Sequence, residues 1–572
     1  MKLSVKRMAA LSIIVSVLLS GFVMLEANAQ EQKFFFEIHG VLRPPYKEEY
    51  MDLLAKEMAK IGIKYIPEPV EASTYMARYD NKTWDEGGFD MNFGVHGWQR
   101  FDPRIGYEFY ATRGYHGYDG GEIYRLVQDA YSFVEFEKAK PLVMRITEIF
   151  VEDLPILCLL WPKDSIVMRS DIEGYLPLFS GERLGSLRLV TVKGKTQSDF
   201  VKIICAQGGD ITGVSPFVIG DAYSFPVAAL CYDKLIFTDN EYKPVVPGLA
   251  KSWEVLEGGT KVVLHLRENV LWHDGKKFTS ADVKWTLETT FDPAAAAAYR
   301  TQYLQFASKL KSIETPDDLT VVLNFKQSHG TLFVDLAKIY IQAQHHWKDI
   351  PLKDIQNHAY ARTGPVVGTG AFKLKQWVKG QHLEFEANEN HWNGRPIIDQ
   401  FFLRFIPERA TAVAALKAGE VDWLAELYTL SVELDDLRKD SRFKVVEYLS
   451  GMVDPAVGMN CRHPMLQNKW VRKAINYVFP REHIAKNIMR GMAEPANQLC
   501  APGNWGHNPN LPKSEYSIEK AKECMQKAGY KYEWLEPPKP IPLSTYLWPF
   551  IGGIVVGTVL ASALVLLRKK KS

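Results

Sequence analysis

Apolar side chains recur at helical spacing over residues 53–59 (Leu53, Leu54, Ala55, Met58, Ala59) and stop at Gly62. The next eight residues, IKYIPEPV, read as extended, and EASTYMARY (71–79) resumes helical spacing. A short apolar strand, FFFEIHG (34–40), precedes them, too little for an open sheet. Near the other end the pattern is again helical: WVRKAINYVF (470–479), REHIAKNIMRGM (481–492) and SIEKAKECMQKAGY (517–530). The last run closes at Gly529, a good helix C-cap. A strand should follow it, but the proline-rich EPPKPIPLST (536–545) comes instead, composition that favours an extended spacer. The middle is richer in strands: KIICAQGG (202–209), KSWEVLEGGTKVVLHLRENVLW (251–272) and LTVVLNF (319–325). Alternating strands and helices predict α/β layers with α+β elements. The two loose ends complement one another: joined, they read helix, turn, strand, helix, strand.

Two longer apolar runs fall outside this pattern. Lys2, Lys6 and Arg7 precede ALSIIVSVLLSGFVML (10–25), with Ala27-Asn28-Ala29 after it, which predicts a cleaved secretory signal over 1–29. LWPFIGGIVVGTVLASALVLL (547–567) has no charge and is long enough to cross a bilayer. Arg568 and Lys569 to Lys571 follow it and are expected to stay cytoplasmic, while Tyr546 and Trp548 suit the outer interface. The expected arrangement is an extracellular body anchored by one C-terminal helix. A 572-residue chain implies roughly two to four domains. Its net charge of +2 gives no basic surface for nucleic acid. The six cysteines (158, 205, 231, 461, 500 and 524) form no CxxC pair, so neither a zinc site nor a thioredoxin-like site is expected. Cys158, inside LPILCLLW, is expected to be a buried thiol. His96, His116 and His273 are isolated, and no HExxH, GxSxG or phosphate-loop motif appears, so neither metal nor catalysis is expected.

The stretch PVVPGLAKSWEVLEGGTKVVLHLRENVLWHDGKKFTSADVKWTLE (244–288) resembles the extracellular solute-binding proteins of peptide and nickel ABC transporters. VGTGAFKLKQW (367–377), ANENHWNGRP (387–396), ALKAGEVDW (415–423), VRKAINYVFPREHI (471–484) and YSIEKAKECMQKAGY (516–530) follow in family order. The first part of the chain resembles the closing portion of the same family, through residues 53–75, GFDMNFGVHGW (88–98), GYHGYDGGEIYRLVQDA (114–130) and 151–175. The order is therefore rotated, as in a circular permutation whose original ends are joined near VKGKTQSDF (192–200). A chimaera of two tandem copies is the alternative.

The resemblance implies a periplasmic-binding-protein-like fold, two lobes joined by a hinge. One lobe would be contiguous, 166–450; the other would combine 30–165 with 451–532, followed by a linker (533–546), the helix 547–567 and the tail 568–572. The implied function is that of an ABC-importer receptor with no cofactor and no enzymatic activity. It would deliver dipeptides or oligopeptides to permease subunits and their ATPases. An oligosaccharide receptor, or a surface sensory protein that has lost transport, are the alternatives. C-terminal anchors of this kind are frequent on archaeal receptors. The implied ligand cleft lies between Gly209, Asp210, Ile211 and Thr212 on one side and Gly97, Trp98, Gln99, Arg100 and Asp102 on the other, with Trp423 and Trp505 as candidate walls. Peptide binders of the family carry GW-x-x-D-Y-x-D-P, whose first Asp meets the peptide amine. Here Gln99 and Arg100 stand in that place, and Asp102 is the candidate substitute.

Overall fold

The computed structural model describes residues 33–42, 48–79, 89–97, 102–112, 116–176, 184–239, 241–298, 300–425 and 431–535. The expected signal (1–29) and membrane helix (547–567) lie outside them, as do Trp98, Gln99 and Arg100. Among the described residues no helix is long and apolar enough to cross a membrane.

The helix Glu48–Ala59 and the strand Ile63–Pro69 form as their periodicity predicts. Leu54, Met58 and Ile61 are fully buried, while Asp52 and Lys56 face out. Gly62, at φ 80°, makes the turn between helix and strand. The strand joins a five-stranded sheet in the order Ile63–Pro69, Phe36–Leu42, Met91–His96, Val453–Met459, Ile156–Cys158. The first three strands are parallel; Val453–Met459 runs antiparallel to both its neighbours. The sheet is thus completed by a strand from far along the chain. One core unites Ile38, Leu54, Met58, Ile63 and Phe93 with Val457, Val471, Ile475, Ala521 and Met525.

The helix Ile518–Lys527 is capped by Ser517, whose hydroxyl accepts the Lys520 N–H. Beyond Gly529 the chain lies across the N-terminal strand. Phe35 packs on Tyr530 and Tyr532, with ring centroids 4.9 and 5.2 Å away. The Tyr532 hydroxyl donates to the Ile61 carbonyl at 3.2 Å, and Tyr516 donates to Glu57 at 2.5 Å.

The second lobe is built on a larger sheet in the order Phe372–Val378, His382–Ala387, Gln400–Phe405, Lys202–Gln207, Trp423–Leu424, Leu160–Arg169, Phe443–Leu449. Beside it stands an antiparallel four-stranded sheet (Ala250–Leu256, Lys261–Leu266, Thr320–Phe325, Leu310–Asp317) with its own core around Trp272, Leu287 and Phe306. The helix Ser280–Phe291 covers it, started by a capping box between Thr279 and Asp282. The stretch 193–198 is an exposed turn in which Gly194, at φ 77°, has open space around it.

The chain passes between the two large sheets twice. Ile156–Cys158 continues through Leu159 into Leu160–Arg169, and Phe443–Leu449 continues through Ser450, Gly451 and Met452 into Val453–Met459. The two passages are hydrogen-bonded to one another: Leu159 N–H donates to the Pro455 carbonyl at 3.2 Å, and Ser450 N–H to the Pro162 carbonyl at 2.9 Å. Together they define two lobes on a double crossing.

All six cysteines are free thiols. Cys158 is buried, and burial pushes its pKa up to about 12.

Candidate ligand cleft

The loop after Lys202–Gln207 is held by its own side chains. Gln207 donates to the carbonyls of Gly209 and Tyr223 at 2.9 and 3.1 Å. Asp210 accepts the Ile211 N–H and the Trp377 indole N–H on one oxygen, and the Gly380 N–H on the other. Its carboxylate therefore organises the loop. A Cβ at Gly209 would meet the Tyr223 ring at 2.7 Å, so the glycine permits that close approach. Ile211 points into the lobe core, whereas Thr212 is exposed and donates to Asp221 at 2.5 Å.

On the other lobe, Gly97 ends the strand Met91–His96 at intermediate exposure. Where the chain is next described, Asp102 starts the helix Pro103–Thr112: its carbonyl accepts from Ile105 and Gly106, and its carboxylate from the Arg104 N–H at 2.8 Å. Pro103 takes the first helical position, where a missing N–H is harmless. The Arg104 guanidinium grips the same carboxylate from two sides, Nε at 2.9 Å and Nη2 at 2.7 Å, and both side chains are fully buried. The remaining guanidinium protons go to the carbonyls of Ala130, Phe133 and Gly330. Burial works against the charge, but Asp102 outweighs it and holds the Arg104 pKa up. Asp102 is thus neutralised and enclosed; a ligand ammonium could reach it only by displacing Arg104.

This pair sits on the seam between the lobes. Gly330 belongs to the four-stranded half, and its N–H donates back to the Tyr131 carbonyl at 2.9 Å, while Ser328 donates to the Ser132 carbonyl. Trp505 lies over Arg104 at 5.5 Å, meets Phe136 edge-on, and donates its backbone N–H to the Glu241 carbonyl across the seam. Trp423 takes a different place: fully buried inside the large sheet, it is edge-on to Tyr175 at 5.0 Å, so it is core of its lobe here. Of the expected site residues, Asp102 and Trp505 come together at the seam, 209–212 form a self-braced loop on the other lobe, and Trp423 joins neither. Arg104 escaped the sequence reading. A D-P-R start to a helix would have flagged the cap, though not the guanidinium's wider set of partners.

Two α/β lobes joined by a double crossing are the architecture of solute-binding proteins. HbpA2 from Haemophilus parasuis shares the fold: TM-score 0.51, 23% identity, 57% of this chain and 67% of that chain covered. Residues 244–546 match the model for the bacterial extracellular solute-binding proteins, family 5 middle region, and the chain belongs to this family, which is one of binding proteins and not of enzymes. An ABC transporter peptide-binding protein of Brucella ovis is 30% identical over 319 residues, 55% of this chain and 57% of the relative. The oligopeptide-binding protein AppA of Bacillus subtilis is 28% identical over 337 residues, 57% and 60% of the two chains. The chain thus spans less than two thirds of the length of these curated relatives.

Proposed function

We propose that this protein is the substrate-binding receptor of an ABC importer, taking peptides between its lobes and presenting them to a permease and its ATPases. The observation that carries the reading is the double crossing at Leu159 and Ser450–Met452 in a chain of this family: two hydrogen-bonded strands can flex together, so lobes move as bodies and a ligand stabilises the closed form it prefers. The names of the Brucella and Bacillus relatives support peptides as the ligand class. Gly97, Trp98, Gln99 and Arg100 form one wall of the ligand site in this reading, and Gly209 to Thr212 the other. Trp505 supports the wall from the seam.

The chain order is a rotated form of the family's. Two observations support it: residues 36–69 and 518–532 share one core, and the exposed turn at 193–198 suits a joint between former termini. A secretory signal and the C-terminal helix 547–567 would hold the body at the outer face of the membrane.

A second reading is favoured by one observation. With Gln99 and Arg100 in place of the usual carboxylate, and Asp102 sequestered by Arg104, the segment 97–103 offers no free carboxylate to a peptide amine. N-blocked peptides, or neutral oligosaccharides, avoid the cost of burying an unpaired ammonium. A thermal-shift comparison of free-amine peptides, N-acetylated peptides and oligosaccharides separates these ligands.

A further inference from the structure

A cavity of about 310 Å³ opens in the contiguous lobe, one wall of it formed by the hairpin whose Glu241 meets Trp505 at the seam. It lies where the helix Phe225–Cys231, the hairpin of Ile236–Phe237 with Val246–Pro247, and the start of the strand Phe372–Val378 meet the segment 184–189. The walls are mainly apolar: Leu184, Leu230, Phe237, Val246 and Phe372.

The charged groups on this wall differ in how they are used. Asp233 accepts from the Trp392 indole at 2.8 Å and from Thr369 at 3.0 Å. Asp239 accepts the backbone N–H groups of Glu241 and Lys243 at 2.8 and 2.9 Å. Both acids are committed to the fold. Arg188 is not: its half-buried guanidinium donates no hydrogen bond to any described residue, although Asp233 acts on it through space. Burial pulls its pKa down and Asp233 offsets part of that, yet an arginine keeps its charge. A guanidinium with five donors, removed from much of its water and given no acceptor by the described residues, is costly. An acceptor brought by a ligand relieves that cost.

We propose that this cavity binds a small monocarboxylate with an apolar body, its carboxylate forked by Arg188 and its body against Leu230, Phe237 and Phe372. Among the described residues of the lining, Arg188 is the one cation, and it matches one negative charge; a phosphate dianion would bury a second charge unpaired. The volume is at the lower end of ligand pockets, which run from about 300 to 1,000 Å³, and suits a molecule of amino-acid size. Its lining includes none of the loop residues 97–102 or 209–212, so the proposal does not rest on peptides binding between the lobes.

The test uses the full chain in detergent, titrated by calorimetry with 4-methylpentanoate and with 4-methylpentanamide, its uncharged isostere. The acid should bind saturably, and the amide at least about tenfold more weakly, as loss of a charge-assisted bidentate contact requires. Arg188→Gln should bring the acid to the amide's level, and Arg188→Lys should restore only part of the difference. Should Arg188→Gln fail to fold, Val246→Trp, which fills the cavity from the hairpin, should abolish binding of the acid. Equal binding of acid and amide, binding that survives either Arg188→Gln or Val246→Trp, or no saturable binding of the acid would each overturn the proposal.

Discussion

Phe35 and Tyr530, near opposite ends of the described chain, pack ring against ring with centroids 4.9 Å apart. Tyr532 and Trp534 extend the cluster to 5.2 and 6.4 Å from the same Phe35 ring. Phe35→Ala should therefore cost about 1–3 kcal/mol, since a half-buried aromatic hub loses both area and ring contacts. Urea unfolding measures this. An unchanged midpoint would mean that the two ends are not energetically joined.

The same proximity predicts that the order of segments can be rotated back. Linking Leu535 to Lys33 through a short Gly/Ser segment and opening the chain within 195–198 should give a folded protein. The new ends fall in an exposed turn, where cuts are tolerated. Its melting temperature should lie within about 5 °C of the parent's. A rearranged chain that cannot fold would count against reading the natural order as a permutation.

These two relationships also mark how far sequence alone reaches. The helix Glu48–Ala59 and its following strand were legible because Leu53, Leu54, Ala55, Met58 and Ala59 recur at helical spacing and Gly62 punctuates the run. Val453–Met459, separated from that strand by two others in the same sheet, was not legible locally: VDPAVGM has a proline, a glycine and no alternation, and only family order placed its segment in this lobe. Trp423 and Trp505 look alike as candidate walls. What separates them is position, one enclosed by neighbouring strands and one placed over Arg104 at the seam, and that is a tertiary property. Arg104 was illegible for the same reason, because three of its acceptors are backbone carbonyls remote in sequence.

The buried Asp102–Arg104 pair should behave as a structural tie across the seam. Arg104→Met leaves a buried carboxylate without its partner and should destabilise by about 3–5 kcal/mol. The double change Asp102→Leu with Arg104→Met should recover a substantial part of that loss, because no orphan charge remains. Denaturant melts of the two variants measure the difference. Equal losses in both would show that the guanidinium's bonds to Ala130, Phe133 and Gly330 matter more than the pair itself.

His273 predicts an acid dependence. Burial holds its pKa at about 4, with Lys373 and His391 acting in the same direction and Asp233 against them. The geometry fits a neutral ring: Gly368 N–H reaches Nδ1 at 3.3 Å, so Nε2–H is free to donate to the Gly370 carbonyl at 3.0 Å. Between about pH 6.5 and 4 the unfolded chain takes up a proton that the folded chain refuses. The stabilisation is therefore complete above pH 6.5 and is lost as pH falls toward 4. His273→Gln can keep one acceptor and one donor without titrating. Wild type should lose about 2–3 kcal/mol more than this variant over that window. Parallel pH profiles would contradict the assignment.

The central claim, that the lobes close on a peptide, is tested most directly by thermal shift of the purified chain with peptides and oligosaccharides. Binding only to the folded state raises the melting temperature, with a stabilisation that grows as the logarithm of ligand excess over Kd. N-acetylated peptides should raise it at least as much as free-amine ones, and Trp98→Ala should weaken the effect by about 1–3 kcal/mol through lost aromatic burial. Stabilisation by oligosaccharides alone, with every peptide silent, would contradict the peptide assignment and move this receptor to sugars.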